Sequence, residues 1–352
     1  MTQVILLGPL KNNLANRLRN LYKLKTMKTK ICITFILFGT LILSSWGFLA
    51  HKTLQQLSIY TLPEELGGFF YQNQAYLVKH SVRPDLRRNE DKSEDPKHYL
   101  DMDATLFGAD YLNSIPHDFK KAHAKYTLDS LKQEGLVPWE VFIVYKKLVN
   151  AFKTEQRDSV IFYAADLGHY VSDAHVPLHT TKNHDGQLTG QKGMHVLWES
   201  LVPENDINGY DLSKQQKAEY IKNPQDFIFE ILKESHAMLP EMFQVEKEVT
   251  AQIGADKKTY PVVRNGRTSQ YYTKEFIQAY SNRLGKSVHN RMLQASQRVA
   301  SFWYSAYVDA GKPKWVQNVP SSVVEALNAE KIEWKENKLI SNQKLISLHK
   351  DK

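Results

Sequence analysis

Apolar residues recur at three- and four-residue steps through most of this chain, and the elements they predict are nearly all helices. The pattern opens a helix over residues 48–60 and another at Pro63-Glu64-Glu65, where a proline and two acids suit a first turn. Val82-Arg83-Pro84-Asp85 breaks that second helix, and the charged stretch 91–97 reads as a turn-rich loop. Further helices are predicted over 119–134, over 138–152, from Asp158 through His169, over 224–249 and, longest of all, over 273–310. Alternation appears only in short pieces such as 259–263. Past Gly311 the chain turns polar and lysine-rich; one more helix is predicted over 321–338, and the segment reads as a solvated tail. The fold class expected is all-α: one multi-helix domain over 46–312, a leader over 1–45, and a polar, partly helical tail over 313–352.

Charge changes the reading of the leader. The net charge is +8, but residues 1–45 hold seven basic residues and no acid. Without them the chain has 39 basic against 38 acidic residues, so bulk charge lends no support to a polyanion partner. Within the leader, Lys28 and Lys30 precede an apolar run over 31–43, followed by Ser44, Ser45 and Trp46. A basic start, an apolar centre and small residues at the end make a secretory signal peptide, so the mature protein is expected to be secreted or periplasmic. The run falls short of the roughly twenty apolar residues of a membrane span, which makes an uncleaved anchor the second choice. Met27 stands just ahead of the basic residues and reads as the true start. The only cysteine, Cys32, lies in this leader, so the mature chain would have none and cannot be a disulfide scaffold.

The chemistry concentrates in residues 169–199. His169 and Asp173 are spaced i, i+4, His179 follows six residues on, and His195 and Glu199 are again i, i+4. On a helix each such pair shares a face and can aim two ligand atoms at one point. One pair occurs by chance in many helices; two pairs with a histidine between them point to a metal. Imidazole and carboxylate without thiolate suit zinc in a catalytic setting, whereas closed structural sites usually use cysteine.

Further residues complete a resemblance. Trp46 stands where the leader ends, His51 follows five residues later, Asp85 sits after a proline, and His98 lies in Lys-His-Tyr-Leu-Asp-Met-Asp. With His-x-x-x-Asp-x-x-x-x-x-His and His-x-x-x-Glu, this order resembles the zinc-dependent phospholipase C superfamily, which includes the trinuclear-zinc, single-strand-specific nucleases. The resemblance spans 46–199 and implies the helical fold of that superfamily and three zinc ions. One would be held by Asp85, His98, His169 and Asp173; a second by His179, His195 and Glu199. The third would take His51, the bridging Asp173, and the free α-amine and carbonyl oxygen of Trp46. The activity implied is hydrolysis of a phosphodiester by a metal-activated water, with Asp85 as the catalytic residue that orients or deprotonates it.

Two departures bear on substrate. The nuclease branch usually carries Asp-x-Gly-Gly-Asn after the His-x-Pro-Leu-His motif and ends on an aspartate ligand. Here the loop is His184-Asp185-Gly186-Gln187-Leu188-Thr189-Gly190 and the last ligand is Glu199, as in the phospholipase branch. The step from Trp46 to His51 and the Pro177-Leu178 pair are nuclease-like. The near-neutral charge after the leader tips the reading towards phospholipids or small diesters, with single-strand nuclease or nucleotidase action as the alternative. The partner expected is thus a phosphodiester, either a lipid headgroup with transient membrane-surface contact or a nucleic acid; no obligate protein partner is evident.

Blander readings stand beside these. His80, His117, His123, His175, His184, His236, His289 and His349 have no place in the ligand pattern, and His175 reads as packing or support. His117-Asp118 and His184-Asp185 resemble the ligands of HD-type phosphohydrolases, but neither is placed mid-helix. Phe302, Trp303, Tyr304 and Tyr307 read as core before they read as a pocket. Asp101 and Asp103 rival Asp85 but break the order. An exported, non-enzymatic binding protein stabilised by zinc is the remaining alternative. Its weakness is the second ligand set, where three protein ligands do not close a structural site.

Overall fold

The computed structural model describes residues 47–349, apart from Gln215, Asn265 and Gly266. The leader with Met27 and Cys32, and Trp46 with the ligand role expected of it, lie outside the described residues. As expected, the described chain is mostly helical, 69% helix against 3% strand.

Four helices build the centre. Helix α1 (Phe48–Thr61) is followed by α2 (Glu64–Gln72) and α3 (Gln74–His80). Then come α4 (Val137–Lys153), α5 (Arg157–Ala174), α6 (Pro224–Ala237), α7 (Leu239–Ile253), α8 (Lys274–Leu284), α9 (Ser287–Asp309) and α10 (Ser321–Lys335). Helices α4 and α5 pack side by side, and α9 crosses α1, α4 and α5. Phe70, Phe152, Tyr170, Phe302, Trp303 and Tyr307 fill the space between them. Tyr304 is partly buried against the same core, so the aromatic cluster of α9 is packing, as its spacing suggests.

Helix α1 is buried almost all round, polar residues included. A helix in that position must satisfy its polar side chains internally. Gln55 donates to the Ala165 carbonyl at 2.9 Å, and Ser58 donates to the Leu54 and Ser296 carbonyls. Such anchoring fixes the helix that carries His51.

Several long predicted helices are divided, each for a local reason. The run over 273–310 splits where Gly285 takes φ 60°, a backbone conformation open to glycine. The run over 224–249 splits at Met238, just before Pro240 in the first turn of α7. The run over 119–134 becomes Phe119–Lys125 and Leu128–Glu134, because Thr127 caps the second piece through the Ser130 amide. The second predicted helix divides into α2 and α3 at Asn73.

The only sheet among the described residues is a hairpin of β1 (Thr259–Arg264) and β2 (Arg267–Tyr272), antiparallel with Thr259 opposite Tyr272. Its first strand corresponds to the alternating piece over 259–263.

The expectation of a solvated tail is corrected. Leu327, Trp334, Leu339 and Leu345 are buried, and Glu330 accepts from Tyr60 and Tyr71. Gln56 donates to the Lys344 carbonyl, and its own oxygen accepts from the Ile346 amide. The segment after 312 therefore closes over α1, and the residues after Ser45 cluster as one compact unit. Its lysines conceal this, because the buried apolar residues stand among polar ones at irregular spacing.

Candidate metal centre

Helices α1 and α5 and several short turns around them bring eight of the nine expected ligands together. Helix α5 supplies His169 and Asp173 one turn apart, with 0% and 1% exposure. After α5 ends, the turn Pro177–Thr180 presents His179. Met194–Val196 carries His195 and runs into a π-helical turn, Leu197–Leu201, that carries Glu199. Single π turns recur at functional sites because they re-aim side chains within a helix. Helix α1 adds His51, the short helix Arg83–Arg87 adds Asp85, and the 3₁₀ turn Lys92–His98 ends on His98.

The first group draws four side chains together around the His98 and His169 ring nitrogens. His98 Nδ1 lies 2.8 Å from Asp173 Oδ2 and 3.1 Å from His169 Nε2. Asp85 Oδ1 stands 3.6 Å from His98 Nδ1 and 3.8 Å from His169 Nε2, and His169 Nε2 is 3.2 Å from Asp173 Oδ2. Zinc bonds of about 2.0–2.2 Å imply edges of roughly 3.3–3.6 Å, the range these distances straddle. The second group joins His179 Nε2 to His195 Nε2 at 2.9 Å, with Glu199 Oε2 at 3.5 and 2.7 Å from them. In the third, His51 Nε2 faces Asp173 Oδ1 at 3.3 Å and Glu199 Oε1 at 3.8 Å. Asp173 thus turns one oxygen to each of two groups. A side-chain carbon on Gly47 would stand 3.2 Å from Glu199 Oε1, so the chain just after Trp46 passes against this third group.

These donors fit a cation. His169 Nδ1 is committed to the Ser81 carbonyl at 2.7 Å, which leaves Nε2 as the free lone pair. That lone pair, a second imidazole nitrogen and two carboxylates converge, with Asp85 alone open to solvent, an arrangement costly without positive charge between them. With protons alone, burial pushes His98 down. His169 is held up at about 9: burial lowers it, but Asp173 and Asp85 outweigh that. Burial would raise Asp173, yet His169 and its hydrogen-bond partners hold it well below the usual carboxylate range. Among the described residues His51 with His169 and Asp173, Asp85 with His98 and His169, and His179 with His195 and Glu199 could each hold an ion.

The rivals stand elsewhere. Asp103 accepts from Thr181 Oγ1 at 2.6 Å and from the Lys182 amide at 2.9 Å. Asp101 is buried near Asp103 and Glu134, and burial pushes its carboxyl up to about 7. His117 pairs with Asp226 at 2.6 Å and not with its neighbour Asp118. His175 is buried, bonds the Val171 carbonyl, and is kept neutral by burial and by the nearby Arg291 and Arg298. His184 lies close enough to His195 and His179 that burial and their charge lower it.

Two residues were not singled out from sequence. Arg88, three positions after Asp85, places Nη1 3.5 Å from Asp85 Oδ1 and anchors Nε on Asp95 at 2.9 Å; its side chain is 41% exposed. Glu94, four positions before His98, is 2% exposed and accepts from Arg87, Lys97 and Tyr170. Burial pushes its carboxyl up, but those three donors outweigh burial and hold it at about 2. The i, i+3 and i, i+4 spacings from the ligands were the signals available.

No protein-family model matches the chain, and no curated protein matches it significantly in sequence.

Proposed function

We propose that this protein is a zinc-dependent phosphodiester hydrolase. The observation that carries the reading is the convergence of three donor groups around Asp173, each built from imidazole and carboxylate and tied to the next by Asp173 or Glu199. Asp85, His98, His169 and Asp173 would hold one ion, and His179, His195 and Glu199 a second. His51 with Asp173 would hold a third, completed by the α-amine and carbonyl of Trp46 once the leader is removed. Bound zinc supplies Lewis-acid polarisation of phosphate oxygens and makes water more acidic.

The chain's own residues do the rest. Asp85 is the best-placed base: its carboxylate faces the first donor group, and its side chain is 26% exposed, so water reaches it. Arg88 offers a planar, half-solvated guanidinium beside it, suited to a phosphate oxygen. His51, His169 and Asp173 are themselves buried, which shields their donor atoms from bulk solvent. Phospholipid headgroups and small diesters are the favoured substrates, because the chain after its leader is close to neutral and holding a polynucleotide takes many cationic contacts.

The test is a purified chain starting at Trp46, assayed for zinc content and for hydrolysis of a nitrophenyl phosphodiester, phosphatidylcholine and single-stranded nucleic acid. Chelation should abolish turnover and zinc restore it, while Asp85→Asn loses at least 100-fold in kcat. One extra residue before Trp46 should cost one zinc ion and most of the activity. Faster cleavage of nucleic acid than of lipid would reverse the substrate preference. Bound zinc with no turnover on any of the three would leave a zinc-stabilised binding protein.

A further inference from the structure

The ring of His98 has two nitrogens with opposite surroundings. Nδ1 points into the first donor group, 2.8 Å from Asp173 Oδ2, 3.1 Å from His169 Nε2 and 3.6 Å from Asp85 Oδ1. A ligand nitrogen must offer a lone pair, so the single proton of a neutral His98 has to sit on Nε2. That Nε2 is buried and has no hydrogen-bond partner among the described residues. A carboxylate oxygen, Glu94 Oε1, faces it at 3.9 Å.

We propose that Glu94 is a positioning residue for His98: it accepts a hydrogen bond from Nε2–H, which keeps the proton on Nε2 and leaves the Nδ1 lone pair facing the metal. This rests on the metal-centre reading above.

Glu94 is prepared for the task from three sides. Arg87 Nη2 donates to Oε1 at 3.0 Å, the Tyr170 hydroxyl donates to the same oxygen, and Lys97 Nζ donates to Oε2 at 3.0 Å. Arg87 is itself tied to Asp166, which Arg83 also holds. The carboxylate is therefore rigid as well as charged. Glu94 and His98 lie four residues apart on the same short 3₁₀ segment, and from 3.9 Å a movement of about 1 Å brings donor and acceptor into hydrogen-bond range. Carboxylates that accept the outer N–H of a ligating histidine fix its tautomer and make it a stronger ligand. A purely structural ion pair would not need an unpaired imidazole nitrogen beside it.

The experiment uses the full mature chain with Glu94→Gln, Glu94→Leu and, as a control, Tyr170→Phe. Tyr170→Phe removes a hydrogen bond to the same carboxylate and leaves the carboxylate in place. Zinc affinity is measured by competition with a chelator, and the protonation of the His98 ring by nitrogen NMR. Glu94→Leu is expected to weaken one zinc site 10- to 100-fold. Glu94→Gln, whose amide oxygen still accepts, should recover part of that loss, and Tyr170→Phe should change affinity less than threefold. Wild-type His98 should carry its proton on Nε2. Should Glu94→Leu fail to fold, Glu94→Gln and the tautomer still decide. A protonated Nδ1, or unchanged zinc affinity in Glu94→Leu and Glu94→Gln while the wild type binds zinc, overturns the role of Glu94 and leaves the metal centre standing. A wild-type chain that takes up no zinc overturns both.

Discussion

At the residue scale, the charged groups near the centre divide into those that are compensated and one that is not. Asp173 and Glu94 are buried and Glu199 is partly buried, but donors surround all three and hold them below their usual range. Among the described residues no such donor hydrogen-bonds the Asp101 carboxyl, and Lys182 acts on it only through its charge. It is 8% exposed, and burial with Asp103 and Glu134 nearby lifts its carboxyl to about 7. A folded-state pKa above the unfolded one means that the native chain binds this proton more tightly. Stability therefore falls as pH rises between about 4 and 7, and the full penalty applies above 7. Asp101→Asn removes the ionisable group. In chelator-treated protein, denaturant unfolding should find the variant more stable than wild type by about 1–3 kcal/mol at pH 8 and equal to it at pH 4. A gain of the same size at both values would refute the burial account.

At the scale of elements, ligand placement depends on short segments that grip one another. The turn Lys92–His98 is clasped at its C-terminal end by the chain after Leu128–Glu134. The Leu136 amide donates to the Pro96 carbonyl at 2.6 Å, and the Val137 amide to the Tyr99 carbonyl at 3.1 Å. That close approach passes through Gly135, which has φ 103° and whose missing side chain would strike the Tyr99 backbone. Gly135→Ala should therefore cost about 1–3 kcal/mol in denaturant unfolding, from backbone strain and from displacing Tyr99. Because Tyr99 adjoins His98, the same variant should weaken zinc binding in chelator competition. Unchanged affinity beside reduced stability would show that the clasp holds the turn without holding the ligand. The i, i+4 pairs on α5 and at His195 and Glu199 are legible in the sequence, since helical geometry alone sets their spacing. The π turn Leu197–Leu201 is not, because periodicity cannot separate it from an α-helix.

At the scale of the molecule, the segment after 312 is part of the fold. Leu327, Trp334, Leu339 and Leu345 are each at most 6% exposed, and burial of such side chains stabilises by roughly 1.5–3 kcal/mol apiece. Ending the chain at 312 would lose all four and would leave the Tyr60 hydroxyl without Glu330 in a buried setting. The loss is of the order of the whole stability of a domain. The truncated protein should be insoluble or lack a cooperative thermal transition; a soluble chain with a transition like that of the full one would restore the view of a dispensable tail. The sequence by itself determined the mostly helical class and the spacing of the two i, i+4 pairs and His179 as candidate ligands, because those follow from contacts within a few residues. It also marked His51, Asp85 and His98, though only through the order of a resemblance. Only the tertiary structure decided that these three reach the same point as α5, that Glu94 and Arg88 flank them, and that a polar tail closes over α1. Such contacts join residues as far apart as Gln56 and Ile346, and their partners are set by how the helices pack, which no local periodicity records.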